Sequence, residues 1–316
     1  MEKSLKKSSQ PVRGNGVEKR AGNRRLEVLK TYKLYIGGQF PRTESGRYYT
    51  PTGPNGRKLA NVCQASRKDF RDAVVAARNA LGGWSSRPAF NRGQILYRMA
   101  EMLEGRKAQF MEELQAQGLP RLRAERDVSA SVDRLIYYAG WCDKFQQLFS
   151  TVNPVASSHF SFSVPEPTGV VAIIAPQQDA LLGLVSVLAP VLAGANTCVV
   201  LAAESLPLCA VTLAEVLHSS DLPGGVVNIL TGKAAELTGW FAGHMDVNAT
   251  LYCENDSSVQ RMIREKATSN LKRTVFYADD DWRLPDAQSP YRILDFQEIK
   301  TTWHPIENIA GSGASY

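Results

Sequence analysis

The sequence predicts an α/β protein in which a parallel sheet carries helices on both faces, behind a helical N-terminal part. Three observations predict it. Residues 170–175 form an uninterrupted β-branched and apolar run, Val-Val-Ala-Ile-Ile-Ala, bounded by Gly169 and Pro176, which reads as a strand buried on both faces. The apolar segment at 181–193 is long enough for a buried helix. Strand and helix periods then alternate up to residue 277, and parallel strands joined by crossover helices accommodate that alternation.

Taken in order, the chain opens on a basic tail. Residues 1–25 hold eight Lys or Arg, two Glu and no aromatic residue, so the whole formal charge of +6 resides there and 29 charges of each sign remain in the body. Such a stretch cannot bury enough apolar surface to offset its ordering entropy, and 1–30 is expected to be disordered. It reads as a solubilising leader rather than a nucleic-acid arm, and no nucleic acid is expected as a partner. It lacks the apolar core of a secretory signal.

Residues 33–40 read as a short strand and turn broken at Gly37 and Gly38, and 48–54 as the start of a second strand. Phe70, Val74, Val75 and Ala80 lie at helical spacing over 67–80 behind Ser66, a suitable N-cap, with Gly82 and Gly83 as the stop. A second amphipathic helix covers 91–105 through Ile95, Leu96, Met99 and Leu103. One long helical segment is expected over 122–149, containing Leu135, Ile136, Tyr138, Trp141 and Phe145. Residues 158–164 alternate, with Phe160, Phe162 and Val164 on one face and His159, Ser161 and Ser163 on the other, a half-exposed strand that needs a partner. Strands at 170–175, 197–201, 226–230, 247–252 and 271–277 follow, with helices at 181–193, 206–218, 234–241 and 257–266. Five such strands complete a Rossmann-like domain, although no GxGxxG follows the first.

Composition adds exclusions. The longest apolar segment, 181–195, contains Gly183, Ser186, Pro190 and Gly194 and falls short of the ~20 residues a bilayer requires, so no membrane partner is expected. Five cysteines, an odd number without CxxC, suit a reducing cytoplasm better than a disulfide framework. Cys63, Cys142, Cys198 and Cys209 read as small core hydrophobes, and Cys253 alone falls at a strand's carboxyl end, beside acidic neighbours that disfavour a thiolate. The four histidines show no ligand spacing, and no metal is expected.

Two separated motifs carry a resemblance. Glu-Pro-Thr-Gly-Val-Val-Ala-Ile-Ile-Ala-Pro at 166–176 resembles the first strand of the cofactor domain of the aldehyde dehydrogenase superfamily, and Leu-Pro-Gly-Gly-Val-Val-Asn-Ile-Leu-Thr-Gly at 222–232 resembles a later signature of that domain. The resemblance covers roughly 32–277 and resumes at 291–305; within it, the chain is similar to the cysteine-less second unit of tandem-type members. It implies a cofactor domain over 31–277, a protruding hairpin that includes 158–164, and a C-terminal oligomerisation strand over 291–305. It implies subunit contacts through Phe160, Phe162, Val164, Tyr291, Ile293, Phe296 and Trp303.

The departures matter most. The resemblance implies NAD or NADP held by a Lys after the second strand, where this chain has Leu201 or Ala202, and by a small-residue loop after the fourth, where it has Tyr252, Glu254 and Asp256. What is left of the cofactor site is Ala175, Pro176, Gln177, Ala202, Glu204 and Gly232, with no cation, and no cofactor is expected to bind tightly. The family's oxyanion Asn is represented by Gln177, and its hydrolytic Glu by Tyr277, a phenol unable to act as a base at neutral pH. The family's catalytic domain, with its nucleophilic Cys, is expected to be replaced by a short acidic linker at 278–290, whose Asp279, Asp280 and Asp281 read as solvated. These features predict a non-catalytic subunit that assembles with itself or with a full-length aldehyde dehydrogenase. The alternatives are a remodelled nucleotide sensor, with Glu204 accepting from ribose hydroxyls, and an oxidoreductase completed by a partner.

Overall fold

A computed structural model describes residues 28–278 and 280–306. The expected disordered tail therefore lies outside the described residues over 1–27, as does Asp279.

The first ordered layer is a small sheet of β1 (Thr31–Tyr32), β2 (Tyr48–Tyr49) and β3 (Asn61–Cys63), with β3 in the middle. Residues 33–40 are a turn rather than a strand, with Gly37 at φ 61° and Gly38 at φ 78°, and Tyr35 bridges Ile229. A Cβ on Gly38 would stand 2.8 Å from the Cα of Gly224, so the two glycine pairs let these loops touch.

Five helices, the last of them short, form the N-terminal part. In α1 (Arg67–Ser85), the Ser66 hydroxyl accepts from the N–H groups of Lys68 and Asp69 while Asp69 accepts from the N–H of Ser66, a complete capping box. The helix runs through Gly82 and Gly83 instead of stopping there, because the next residue, Trp84, is fully buried and its burial outweighs the ~1 kcal/mol cost of each helical glycine. α2 (Ala89–Glu104) lies where the pattern puts it, but α3 (Lys107–Ala116), held by Phe110 and Leu114, was not foreseen. The long segment is α4 (Arg121–Trp141) and a short α5 (Phe145–Phe149), interrupted by a turn at 142–144.

β4 (Thr151–Asn153) and β5 (His159–Pro167) lead into the main sheet. Its elements are β6 (Val170–Ile174), α6 (Leu182–Ala193), β7 (Thr197–Leu201), α7 (Leu208–His218), β8 (Val227–Leu230), α8 (Ala234–Gly243), β9 (Ala249–Tyr252), α9 (Ser257–Ala267) and β10 (Arg273–Phe276). The five strands are all parallel, in the order β10-β9-β6-β7-β8. Every residue of β6, β7, β8 and β9 is buried, as a sheet covered on both faces requires. Alternate side chains feed two cores: Val171 and Ile173 join α2, α4, α6 and α7, while Val170, Ala172 and Ile174 join α1 and α8. At roughly 1.5–3 kcal/mol for each fully buried Val or Ile, these cores dominate the stabilisation.

The expected solvated linker is exposed at Asp281 and over 283–286 but anchored at two points. Trp282 and Ala287 are buried, and the Arg134 guanidinium donates to the carbonyls of both and to the Ser186 hydroxyl. The predicted strand over 291–305 begins later: α10 (Tyr291–Leu294) is a single helical turn, and β11 (Gln297–Pro305) follows. Ile293 and Phe296 are consequently fully buried in the chain's own core and cannot serve as subunit contacts.

β11, β5 and β4 form a separate antiparallel sheet, with β5 central and β11 aligned to it from Gln297↔Pro167 to Pro305↔His159. Among the described residues no helix is long and apolar enough to cross a membrane.

Candidate functional site

In an open parallel sheet, ligands bind outside the carboxyl ends of the strands. Here the loops after β6, β7, β8 and β9 bring together Gln177, Glu204, Lys233 and Glu254. A cleft of about 470 Å³ opens among Tyr49, Thr50, Pro51, Thr52, Gln177, Glu204, Ser205 and Lys233. Of the predicted cofactor residues, only Gln177 and Glu204 reach it. Ala175, Pro176 and Ala202 are buried, Ala175 and Ala202 being tied by their N–H groups to Leu201 and Leu230, and Gly232 packs against Ala65 and Leu237.

One cation was missed by inspection of the second strand alone. Lys233 comes from the loop after β8, and its Nζ donates to Glu204 Oε1 at 2.7 Å. The signal was the Gly-Lys-Ala that ends the later signature and starts α8. The other oxygen of Glu204 accepts from the N–H of Ala234 at 3.1 Å, so this carboxylate from a neighbouring loop caps α8, which has no side-chain cap of its own. Gln177 folds back on the protein: its amide donates to the Ala175 carbonyl at 2.9 Å, and its oxygen accepts from the N–H of Glu204 at 2.8 Å. The N–H of Gln177 donates to Glu254 Oε1 at 2.7 Å. At α9, Asp256 accepts from the N–H groups of Ser258 and Val259, and hydrogen bonding, from the Ser258 hydroxyl above all, holds its carboxyl below the ordinary range.

The positions where the resemblance implies catalytic groups have other duties. The Tyr277 hydroxyl donates to Asp295 at 2.5 Å, and burial, reinforced by that carboxylate, raises it well above the ordinary phenol value. The Arg292 guanidinium, paired with Asp280 at 3.0 Å, lies 4.4 Å from the centre of the Tyr277 ring. Cys253 is buried, and burial, with Glu254 second, pushes its thiol well up, the opposite of what a nucleophile needs. No group of three His, Cys, Asp or Glu among the described residues could hold a metal ion.

A dinucleotide's pyrophosphate needs free N–H donors or a free cation. At this end of the sheet the N–H groups of Gln177, Ala234, Ser258 and Val259 already meet carboxylates of the protein, and Lys233 is paired. The residues present do not fit that group.

The projecting sheet is the second candidate. Its register places Val152 and Thr302 opposite Phe162, Lys300 opposite Val164 and His304 opposite Phe160. Val152, Phe160, Phe162 and Val164 thus share one face, on which Val152 is 68% and Phe160 45% exposed. The opposite face is polar and covered over β5: Ser161 and Ser163 are buried, and Ser163 shares hydrogen bonds with Asn153 and Thr301. Trp303, 57% exposed on that side, meets the edge of the His159 ring, and Tyr291 lies exposed against Phe149. Ile299, four residues before Trp303 on the same face and also exposed, was not singled out from the sequence.

Comparison with known proteins gives a consistent picture. Residues 36–277 match the model of the aldehyde dehydrogenase family. The chain is 32% identical over 254 residues to the mitochondrial 10-formyltetrahydrofolate dehydrogenase of Mus musculus, which covers 78% of this chain but 28% of that protein. It is 34% identical over 258 residues to retinal dehydrogenase 2 of Gallus gallus, covering 79% of this chain and 49% of that protein. Among solved structures, the NAD+ complex of aldehyde dehydrogenase from Bacillus cereus superposes with a TM-score of 0.74 at 26% identity, over 78% of this chain and 50% of that one. The chain thus spans half or less of the length of these relatives.

Proposed function

We propose that this chain, which belongs to the aldehyde dehydrogenase family, is a non-catalytic, oligomer-forming subunit that assembles with itself or with a full-length aldehyde dehydrogenase. The observation that carries the reading is β11. Over nine residues it pairs with β5 on one side, its other edge has no strand partner among the described residues, and seven of its nine residues are exposed. Exposed strand edges are templates for strand addition, in which main-chain hydrogen bonds supply affinity and side chains supply specificity. The apolar face beside it, with Phe160 and Val152, supplies area that a partner would cover.

The chemistry at the other end supports a supporting role over a catalytic one. The residues in the oxyanion and base positions are an inward-folded Gln177 and a protonated Tyr277, and the one thiol nearby is buried. NAD or NADP is the cofactor the family implies, and binding here is weak, because the donors it would use are taken.

Light scattering on the purified chain, alone and mixed with a full-length aldehyde dehydrogenase from the same cell, tests the assembly. A complex of defined mass is expected, and deletion of residues 297–316 abolishes it. A wild-type chain that stays monomeric in both conditions refutes the reading. Turnover of an aldehyde with NAD or NADP by the chain alone, lost in Cys253→Ser, would replace it with an enzymatic one.

A further inference from the structure

The cleft at the carboxyl end of the sheet is polar and open, with about 470 Å³ of space, so bulk alone does not exclude a ligand. What excludes an anion is the arrangement of charge. Glu204 uses both of its oxygens, one on Lys233 and one on the first N–H of α8, and Glu254 takes the N–H that follows β6. Gln177 then ties the β6 loop to the β7 loop through its own amide. The loops after four strands are in this way held in one network whose nodes are carboxylates.

We infer that Glu204 and Glu254 are built-in anions: they occupy the donor positions that a phosphoryl ligand would otherwise take, with Lys233 as the resident counter-ion, and they turn a ligand cleft into a fixed joint. A helix N-terminus with a cation beside it favours negative charge from any source, and a carboxylate already in place satisfies it without ordering a ligand. An incoming phosphoryl group would have to displace Glu204 from Lys233 and from the N–H of Ala234 and would then face that displaced carboxylate. The network is therefore self-sufficient in the wild-type chain. Removing its central carboxylate uncovers an anion site made of Lys233 and the N–H of Ala234. The inference does not depend on the assembly proposed above: a chain that never finds a partner would still carry these anions.

Chemical rescue tests it, with sodium pyrophosphate as the probe and sodium sulfate at matched ionic strength as the control. The thermal midpoint of the wild-type chain is expected not to respond specifically to pyrophosphate. Glu204→Ala is expected to melt lower and to be restored by pyrophosphate, with an affinity at least about tenfold above any wild-type response, the factor one charge-assisted contact supplies. Adding Lys233→Ala to that variant removes the rescue. If Glu204→Ala does not fold, the isosteric Glu204→Gln takes its place in the same titration. A wild-type chain that pyrophosphate or NAD+ stabilises as strongly as the variant overturns the inference. A folded Glu204 variant that ignores pyrophosphate, or a rescue that survives loss of Lys233, overturns it too.

Discussion

The carboxyl end of the five-stranded sheet and the projecting three-stranded sheet handle their polar groups in opposite ways. At the first, loop N–H groups meet Glu204, Glu254 and Asp256, and Lys233, Arg292 and Tyr277 are each paired. At the second, β11 leaves one backbone edge unpaired among the described residues and β5 turns phenylalanines outward. The difference separates two kinds of interaction that usually coexist in this fold. Polar groups at the first meet partners within the chain, while at the second the edge of β11, on the assembly proposed above, is left open to another chain.

Substitutions on either side of the start of β11 should break the comparison apart most clearly. Phe296→Ala removes a fully buried ring from the core and is expected to lower stability by about 3–5 kcal/mol in urea unfolding. Trp303→Ala, on the exposed part of the strand, should change unfolding of the separated chain by less than about 0.5 kcal/mol and weaken only the assembled state seen by light scattering. Equal losses in the two unfolding curves would show that β11 is core rather than interface.

A pH experiment probes the amino end of the five-stranded sheet. The Lys272 ammonium, just before β10, is buried and donates to the carbonyls of His244 and Val247, and burial lowers its pKa to about 8. The unfolded chain then holds this proton more tightly than the folded one, so stability should rise with pH between about 8 and the ordinary lysine value, by up to about 3 kcal/mol. Comparing urea unfolding at pH 7.5 and 10 with Lys272→Met, in which that increment should vanish, isolates the group.

Smaller effects sharpen the picture of the closed end. Gln177→Ala deletes two side-chain hydrogen bonds, one within the loop after β6 and one to the loop after β7, and should cost about 1–2 kcal/mol, whereas Gln178→Ala, exposed next to it, should stay within about 0.5 kcal/mol. The smallest expected effect is none at all. Cys253 should not react with a thiol reagent under native conditions and should become titratable only on unfolding, as its burial and raised pKa require. Rapid labelling of Cys253 in the folded chain would mean that this end is open.

Much of the main sheet could be read in advance because its strands are buried on both faces. An unbroken run such as Val-Val-Ala-Ile-Ile-Ala has few other destinations, and β7 lies over the expected residues. The N-terminal strands are two or three residues long and give no period to read. α3 escaped because its buried face holds only two apolar residues, Phe110 and Leu114, beside a buried Glu113, amid polar helix formers. The 278–290 segment looked solvated because its acidic residues dominate locally, while the Arg134 that holds it lies about 150 residues away in the chain. At the site, the loss of a cation after β7 was legible, but its partial replacement by Lys233 was not, because the Gly-Lys-Ala that places Lys233 gives no sign of which carboxylate, from which loop, it meets. The residues expected at a subunit contact divided along the same line: Phe160, Phe162, Val164, Tyr291 and Trp303 lie on the three-stranded antiparallel sheet or beside it with their side chains partly or largely exposed, whereas Ile293 and Phe296 turn inward because a helical turn precedes the strand.

The pairing of β5 with β11 also governs the order of events during synthesis. Ser163 and Thr301 lie opposite each other but 138 residues apart in sequence. At about 5–20 residues per second that interval lasts roughly 7–28 s, during which β5 has left the ribosome with one long edge uncovered. Contacts this distant also form late in a folding chain, since the loop must close before the pairing rewards it. The arrival of β11 therefore covers that edge of β5 and at the same moment creates another, which has no strand partner among the described residues.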